Sequence, residues 1–260
     1  MKIIVCIKAV PANIEPSQVI ENRGFYPLDG RNAFMNESDE YAVEEALALK
    51  RQVGGQVAVV SLGLQAGQEA VYKALAKGVD RALRIEASFL NPARTALTLA
   101  TVLRKEPYDL ILTGVESSDV MASYVGAGVA ARLRIPFAFA VTGIEFTNEK
   151  KLIVTKEIGG GTSKKVEMPL PAVLSVQSGI RPLTYTAYSR IVLSRRRPVE
   201  IIKLKDLRIE GELQDVPEWV IEKVFVPEGA VERSIVMLEG TPLEAARSLT
   251  KIVKNKIVES

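Results

Sequence analysis

Residues 109–126 read Asp109-Leu-Ile-Leu-Thr-Gly-Val-Glu-Ser-Ser-Asp-Val-Met-Ala-Ser-Tyr-Val-Gly126. Leu110 to Thr113 is the short apolar run of a buried strand, and Gly114 stops it. Glu116-Ser-Ser-Asp119 is a polar loop. The pattern predicts a helix directly after it, with Ser118 or Asp119 capping the first free amides. Strand, glycine turn, hydroxyl-rich loop and helix N-terminus in this order can hold an anion. The unpaired N–H groups and the positive end of the helix dipole point the same way. An ordinary βα connection has the same outline, so the rest of the chain has to decide.

Working outward, the same unit recurs. Ile3 to Ile7 is a continuous apolar run, the mark of a strand buried on both faces. Residues 12–35 are irregular and too long for a plain connection, which predicts a hairpin or a functional loop. Asn36-Glu-Ser-Asp39 opens a helix, with Asn36 as cap. Ala42, Ala46, Leu49 and Val53 form its inner stripe, and Glu40, Glu44 and Arg51 are expected to face out. Gly54-Gly55 ends it. Val57 to Ser61 is a second strand, followed by a helix over 66–77. Arg81 to Ile85 is a third strand, and Asn91-Pro92 opens a helix to about Arg104. Alternating strands and helices imply α/β architecture: a doubly wound, mostly parallel, Rossmann-like sheet of the adenine-nucleotide-binding kind. Ligands of such sheets sit beyond the carboxyl ends of the strands, near a switch point.

Beyond the helix that follows Asp119 the pattern changes. Residues 143–156 and 164–176 read as two strands around Gly159-Gly160-Gly161, a hairpin leaving the first sheet. Thr241-Pro-Leu-Glu244 is a capping box with Pro at the first helical position, and it starts an amphipathic terminal helix. The stretch 181–240 offers little core of its own. The expected organisation is therefore a nucleotide-binding domain over 1–180 and, over 181–260, a C-terminal arm ending in a helix, for partner docking and packing.

Composition narrows the chemistry. Among 260 residues there is no His and one Cys, and the net charge is +3. The lack of His removes Ser-His-Asp catalysis and His-ligated metals; one Cys removes Cys-ligated zinc and iron–sulfur clusters. A chain so poor in catalytic side chains binds something or relies on a cofactor. The small charge argues against nucleic acid, the longest apolar runs are too short for a membrane span, and the N-terminus enters a strand at once, so a cytoplasmic location is expected.

Two glycine motifs are set aside. Gly126-Ala-Gly-Val-Ala-Ala131 matches a dinucleotide fingerprint, but it lies too far after Thr113 to stand at a helix mouth, so close helix packing is the better reading. Gly159 to Lys164 lacks the ending of a phosphate loop. Arg195-Arg196-Arg197 follows Tyr185, Tyr188 and Ile191-Val192-Leu193; apolar anchors beside arginines are the composition of an interface.

Taken in order, these segments resemble the β subunits of electron-transfer flavoproteins. The opening Val5-Cys-Ile-Lys8-Ala-Val-Pro11 is similar to that family's first strand. Asn36-Glu-Ser-Asp39-Glu-Tyr-Ala-Val-Glu-Glu-Ala-Leu47 resembles its Asn-Pro-x-Asp-x-x-Ala-x-Glu-Glu-Ala block. Val60-Ser-Leu-Gly63, Ala74 to Arg81 and Asp109 to Gly114 follow at the expected places, and Tyr185 to Arg197 resembles its partner-recognition segment and basic tail.

The resemblance implies an electron-transfer protein without catalysis of its own. It would work in an αβ heterodimer with FAD carried mainly by the α subunit, passing electrons between dehydrogenases and a quinone-linked oxidoreductase. It places AMP at Cys6, Ala9, Asn36, Glu37, Ser38, Asp39, Leu62, Gly114, Val115, Glu116, Ser117, Ser118, Asp119, Ser123, Tyr124 and Val125. Partner docking falls to Tyr188, Ile191, Arg195, Arg196 and Arg197. The chain departs from the family at Tyr124, where Gln is usual, and at Asn13, where AMP-binding members often carry an aromatic residue. The second departure keeps open a second FAD in place of AMP, as in electron-bifurcating members. A stand-alone ATP-binding regulatory domain would need neither the tail nor this ordered set. An adenylating enzyme would need a pyrophosphate loop that Lys8-Ala-Val-Pro11 does not supply.

Overall fold

β1 (Lys2–Ile7) is the strand about which the chain is wound, and the apolar run Ile3 to Ile7 is buried throughout. The computed structural model describes residues 1–12, 28, 32–88, 90–148, 150–219, 222 and 237–258. Nine strands among these residues form one sheet, in the order β11 (Glu200–Lys203), β5 (Arg81–Glu86), β4 (Gln56–Leu62), β1, β6 (Leu110–Gly114), β10 (Ala172–Val176), β7 (Phe137–Asn148), β8 (Lys151–Gly159) and β9 (Thr162–Pro169). All neighbours from β11 to β7 run parallel; β7, β8 and β9 are antiparallel. β2 (Ala9–Pro11) and β3 (Ala33–Met35) pair with each other as a small antiparallel ribbon, so the ends of the expected hairpin region are seen. Its middle, Asn13 included, lies outside the described residues.

The parallel half alternates as expected. Helix α1 (Glu37–Val53) leads to β4 (Gln56–Leu62), a 3₁₀ turn and α2 (Gln68–Lys77) to β5 (Arg81–Glu86), and α3 (Pro92–Leu103) to β6 (Leu110–Gly114). The sheet is covered on both faces, as its doubly apolar strands require. Ile3, Val5, Val59 and Leu112 pack with the α1 and α2 residues Ala42, Ala46 and Val71. Ile4, Cys6, Ile85 and Ile111 pack with Ala96 and Leu99 of α3 and with Val129 of α4 (Val125–Leu133).

Four expectations are corrected. The helix after the 116–119 loop starts at Val125, six residues beyond Asp119, and neither Ser118 nor Asp119 caps it. Left-handed turns at Met121 and Ser123 hold that stretch out of helix. Second, the hairpin region holds four strands. These are β7 (Phe137–Asn148), β8 (Lys151–Gly159), β9 (Thr162–Pro169) and β10 (Ala172–Val176). β10 returns to the middle of the sheet between β6 and β7, which its fully buried Ala-Val-Leu-Ser-Val sequence suits.

Third, Glu40 and Glu44 do not face solvent. Both are buried and paired with Lys77 of α2, Glu40 also with Lys73, because α2 covers that side of α1. Glu44 also accepts from the backbone and hydroxyl of Thr184, and Glu45, 1% exposed, accepts from Arg181.

Fourth, the segment after 180 has a core to pack on. Helix α5 (Tyr188–Ser194) lies on α2, with Ser194 Oγ donating to Tyr72 O. β11 (Glu200–Lys203) adds an edge strand to β5, and Leu207 and Ile209 are buried with the α3-side core. Helix α6 (Glu210–Asp215) follows. The chain divides into compact units at Lys223/Val224 and not at 180. The second unit contains α7 (Pro242–Val258), started by the expected capping box: Thr241 N–H donates to Glu244 Oε2 at 2.7 Å and Glu244 N–H to Thr241 Oγ1 at 3.4 Å.

Candidate functional site

The chain leaves β1 toward β4 on one side, and β6 returns on the other, so the switch point lies between the carboxyl ends of β1 and β6. Lys8 follows β1 there, and Gly114 ends β6. The first turn of α1 stands across the gap. Asp39 accepts from Lys8 N–H at 2.8 Å through one oxygen and from Gly114 N–H at 2.9 Å through the other. Burial pushes its carboxyl up to about 7, against the pull of those two N–H groups, Asn36 and the Lys8 ammonium. Cys6 lies beneath, and burial followed by the Asp39 charge pushes its thiol up to about 12, so it serves as a small buried apolar group.

Asn36 stands at the cap position of α1 but makes no capping bond. Its side chain reaches across the gap instead. Nδ2 donates to Glu116 O at 2.8 Å and to Ser38 Oγ at 3.0 Å, and Oδ1 accepts from Ser118 N–H at 3.2 Å. Ser38 Oγ donates to the same Glu116 carbonyl at 2.7 Å. The expected residues 36, 38, 39, 114, 116 and 118 are thus brought together. Val115 is tied to β10 through its N–H to Val176 O, and Glu37 is exposed beside the turn. Ala9 is buried in the β2–β3 ribbon, and Leu62 is half-buried at the end of β4.

Lys8 joins these residues although motif reading passed over it; its place one residue beyond β1 is the signal that marks it. Its Nζ binds Asp119 Oδ1 at 2.6 Å and lies 3.4 Å from Ser117 Oγ. Further on, Ser123 Oγ donates to Glu116 Oε2 at 3.2 Å. Ser123 is left-handed at φ 47° and Tyr124 right-handed at φ −102°. Alternation of this kind is the backbone pattern that can turn successive N–H groups toward one oxyanion. Helix α4 starts immediately after, and Tyr124, at its cap position, makes no side-chain capping bond. The amides of Val125 and its successors are the natural orphans of a helix start. Below them, Gly126 lies against the buried Thr113–Ser175 hydroxyl pair, whose oxygens are 2.8 Å apart. A Cβ there would come within 2.3 Å of Ser175 Oγ, which bears out close packing as the purpose of this glycine. Gly128 makes room for the Tyr124 ring and for Ala96 of α3 in the same way.

A family model described as the electron transfer flavoprotein domain matches residues 28–207. The chain belongs to the electron transfer flavoprotein family. It is 30% identical to the electron transfer flavoprotein subunit beta of Methylophilus methylotrophus, over 97% of this chain and 98% of that protein. It is 27% identical to the Bacillus subtilis subunit beta, over 92% of this chain and 93% of that one. It is 30% identical to the human subunit beta, over 81% and 84% respectively.

Within this family member the second group of expected residues lies on α5 and in the turn just beyond it. Tyr188 is 67% exposed and Tyr185 86%; Val192 and Leu193 are exposed as well, and Ile191 is half-buried. The three arginines differ. Arg195 reaches Glu69 of α2 at 3.0 Å, and Arg196 is exposed. Arg197 is committed within the chain: it donates to the carbonyls of Leu75, Val79 and Asp80, closing the C-terminal end of α2. Among the described residues, no helix is long and apolar enough to cross a membrane.

Proposed function

We propose that this chain is the β subunit of a heterodimeric electron-transfer flavoprotein and holds AMP at the β1–β6 switch point. FAD is carried mainly by the α subunit, and the heterodimer passes electrons between dehydrogenases and a quinone-linked oxidoreductase. When bound, the flavin supplies the redox chemistry. This chain's residues hold the nucleotide, shape the heterodimer and present a docking surface.

The observation that carries the reading is the uncapped start of α4 beside the 114–119 loop. The residues present fit an adenylate. Backbone amides from Ser123 onward suit the phosphate, and Ser117 and Ser123 add hydroxyls. The Lys8 ammonium offsets the carboxylate of Asp119, and the free oxygen of Glu116 suits a hydroxyl donor. Of the other expected residues, Cys6 and Leu62 lie near the ends of β1 and β4, and Tyr124 and Val125 stand at the mouth of α4.

Tyr188, Ile191, Arg195 and Arg196 form the docking surface, an apolar anchor beside steering charges. Arg197 supports it from within. The exposed apolar residues of α7, Leu243, Leu249, Ile252 and Val253, suit contact with the α subunit. The reading includes a cytoplasmic location. Co-expression with a flavin-carrying α subunit, followed by quantification of released nucleotides, should give one FAD and one AMP per heterodimer. Two FAD and no AMP would replace this reading with that of an electron-bifurcating protein; failure to pair would remove it.

A further inference from the structure

We propose that the buried Glu44–Lys77 ion pair is a positioning device for partner docking: it holds the backbone of Thr184 and so sets where Tyr188 stands. The inference rests on the docking reading given above. Residues 177–187, all among the described residues, belong to no helix or strand, and none of them is buried. This segment links β10 to α5 without a core of its own. Its anchors are two carboxylates of α1. Glu45 accepts from Arg181 Nε at 2.8 Å. Glu44 accepts from Thr184 N–H at 3.0 Å and from the Thr184 hydroxyl at 3.2 Å. Lys77 Nζ of α2 donates to the Thr184 carbonyl at 3.0 Å. The N–H, the carbonyl and the hydroxyl of Thr184 are therefore all held by one ion pair, itself closed at 2.6 Å.

The side chains of Lys77 and Glu44 are only 2% and 3% exposed. Charges taken this far out of water recover little net stability from each other, and an apolar pair of similar volume often stabilises a fold as well or better. An apolar pair cannot hold the N–H and the carbonyl of a neighbouring residue, and that is what this pair adds. Tyr188 opens α5 four residues beyond Thr184. The other end of α5 is fastened separately: Ser194 Oγ donates to Tyr72 O, and Arg197 donates to the carbonyls of Leu75, Val79 and Asp80. With both ends fixed, the exposed face of α5 is set before a partner arrives, and binding does not have to order it.

Glu44→Leu combined with Lys77→Met tests this in the full heterodimer. The double variant replaces the ion pair by apolar groups of similar size, so thermal stability should stay near that of the wild type, while the hold on Thr184 is gone. Glu40, which also pairs with Lys77, keeps Lys73 at 2.6 Å. The probe is a dehydrogenase that reduces the wild-type heterodimer. Stopped-flow reduction gives the half-saturating heterodimer concentration and the maximal rate. The proposal predicts a rise of roughly three- to tenfold in the half-saturating concentration, the effect of ordering a loosened segment on binding. The maximal rate and the nucleotide content should not change. In a Tyr188→Ala background the same double change should add little, because the pair acts through that anchor. Glu44→Gln, which retains one acceptor oxygen, should give the same pattern at roughly twofold, and it decides the matter if the double variant fails to fold. An unchanged half-saturating concentration, or an equal rise with and without Tyr188, overturns the positioning role. A Tyr188→Ala variant that docks as tightly as the wild type overturns the docking reading instead.

Discussion

Helices α3 and α4 lie side by side on the same face of the sheet, and each starts just beyond the carboxyl end of a strand. Their starts are built differently. At α3, Asn91 Oδ1 accepts from Arg94 N–H at 2.9 Å and Pro92 fills the first position. The chain at 216–218 then covers the start: Asn91 Nδ2 donates to Pro217 O, and Arg94 reaches Val216 O and Glu218. At α4 there is no capping side chain, and two left-handed residues precede the helix. The difference lies in what holds the first amides: those of α3 are met by Asn91, whereas those of α4 are left without a side-chain partner, as the proposed phosphate site requires.

The strongest way to break the contrast is to disturb the open start from below. Gly126→Val forces side-chain atoms into the Thr113–Ser175 pair. Overpacking of this kind costs about 2–3 kcal/mol, measurable by thermal unfolding of the heterodimer, and AMP binding should fall with it. A variant of wild-type stability and affinity would show that the helix mouth is not tightly set.

The same contrast between closed and open groups runs through the arginine triplet. Arg197→Ala removes three charge-assisted bonds at the end of α2 and should cost about 2 kcal/mol of stability. Arg196→Ala should leave stability alone and slow association with a dehydrogenase, a loss that shrinks as salt rises. Equal effects in the two variants would erase the distinction.

Opening the sealed start sharpens the comparison. Asn91→Ala should lower stability by about 1 kcal/mol through loss of the cap, with AMP affinity unchanged. A change in AMP affinity would mean the two starts are not separate. The smallest effect is expected for Glu218→Ala. It removes an ion pair whose acid is largely exposed and should cost less than about 1 kcal/mol in the same unfolding assay.

Much of this was legible in the residues. Doubly apolar strands such as Ile3 to Ile7, and Asn91-Pro92 as a helix start, are local signals and placed the parallel half correctly. What was not legible depended on partners distant in sequence. Glu40 and Glu44 look like an outward face until Lys73 and Lys77 arrive from α2. Residues 188–209 look coreless until β5 offers an edge and α2 a face. The delay of α4 to Val125 rests on left-handed Met121 and Ser123, which no residue preference announces. Asn36 was expected to cap α1, yet it reaches across the gap to the backbone at Glu116 and Ser118, because the fold brings that loop within its reach.

The central claim is that the open start of α4 and the loop before it receive a phosphate. Titrating AMP and adenosine separately into nucleotide-stripped heterodimer tests this most directly, because the two ligands differ only in that group. The account predicts that AMP binds at least roughly a hundredfold more tightly, the worth of two charge-assisted hydrogen bonds. Adenosine binding as tightly as AMP would contradict it.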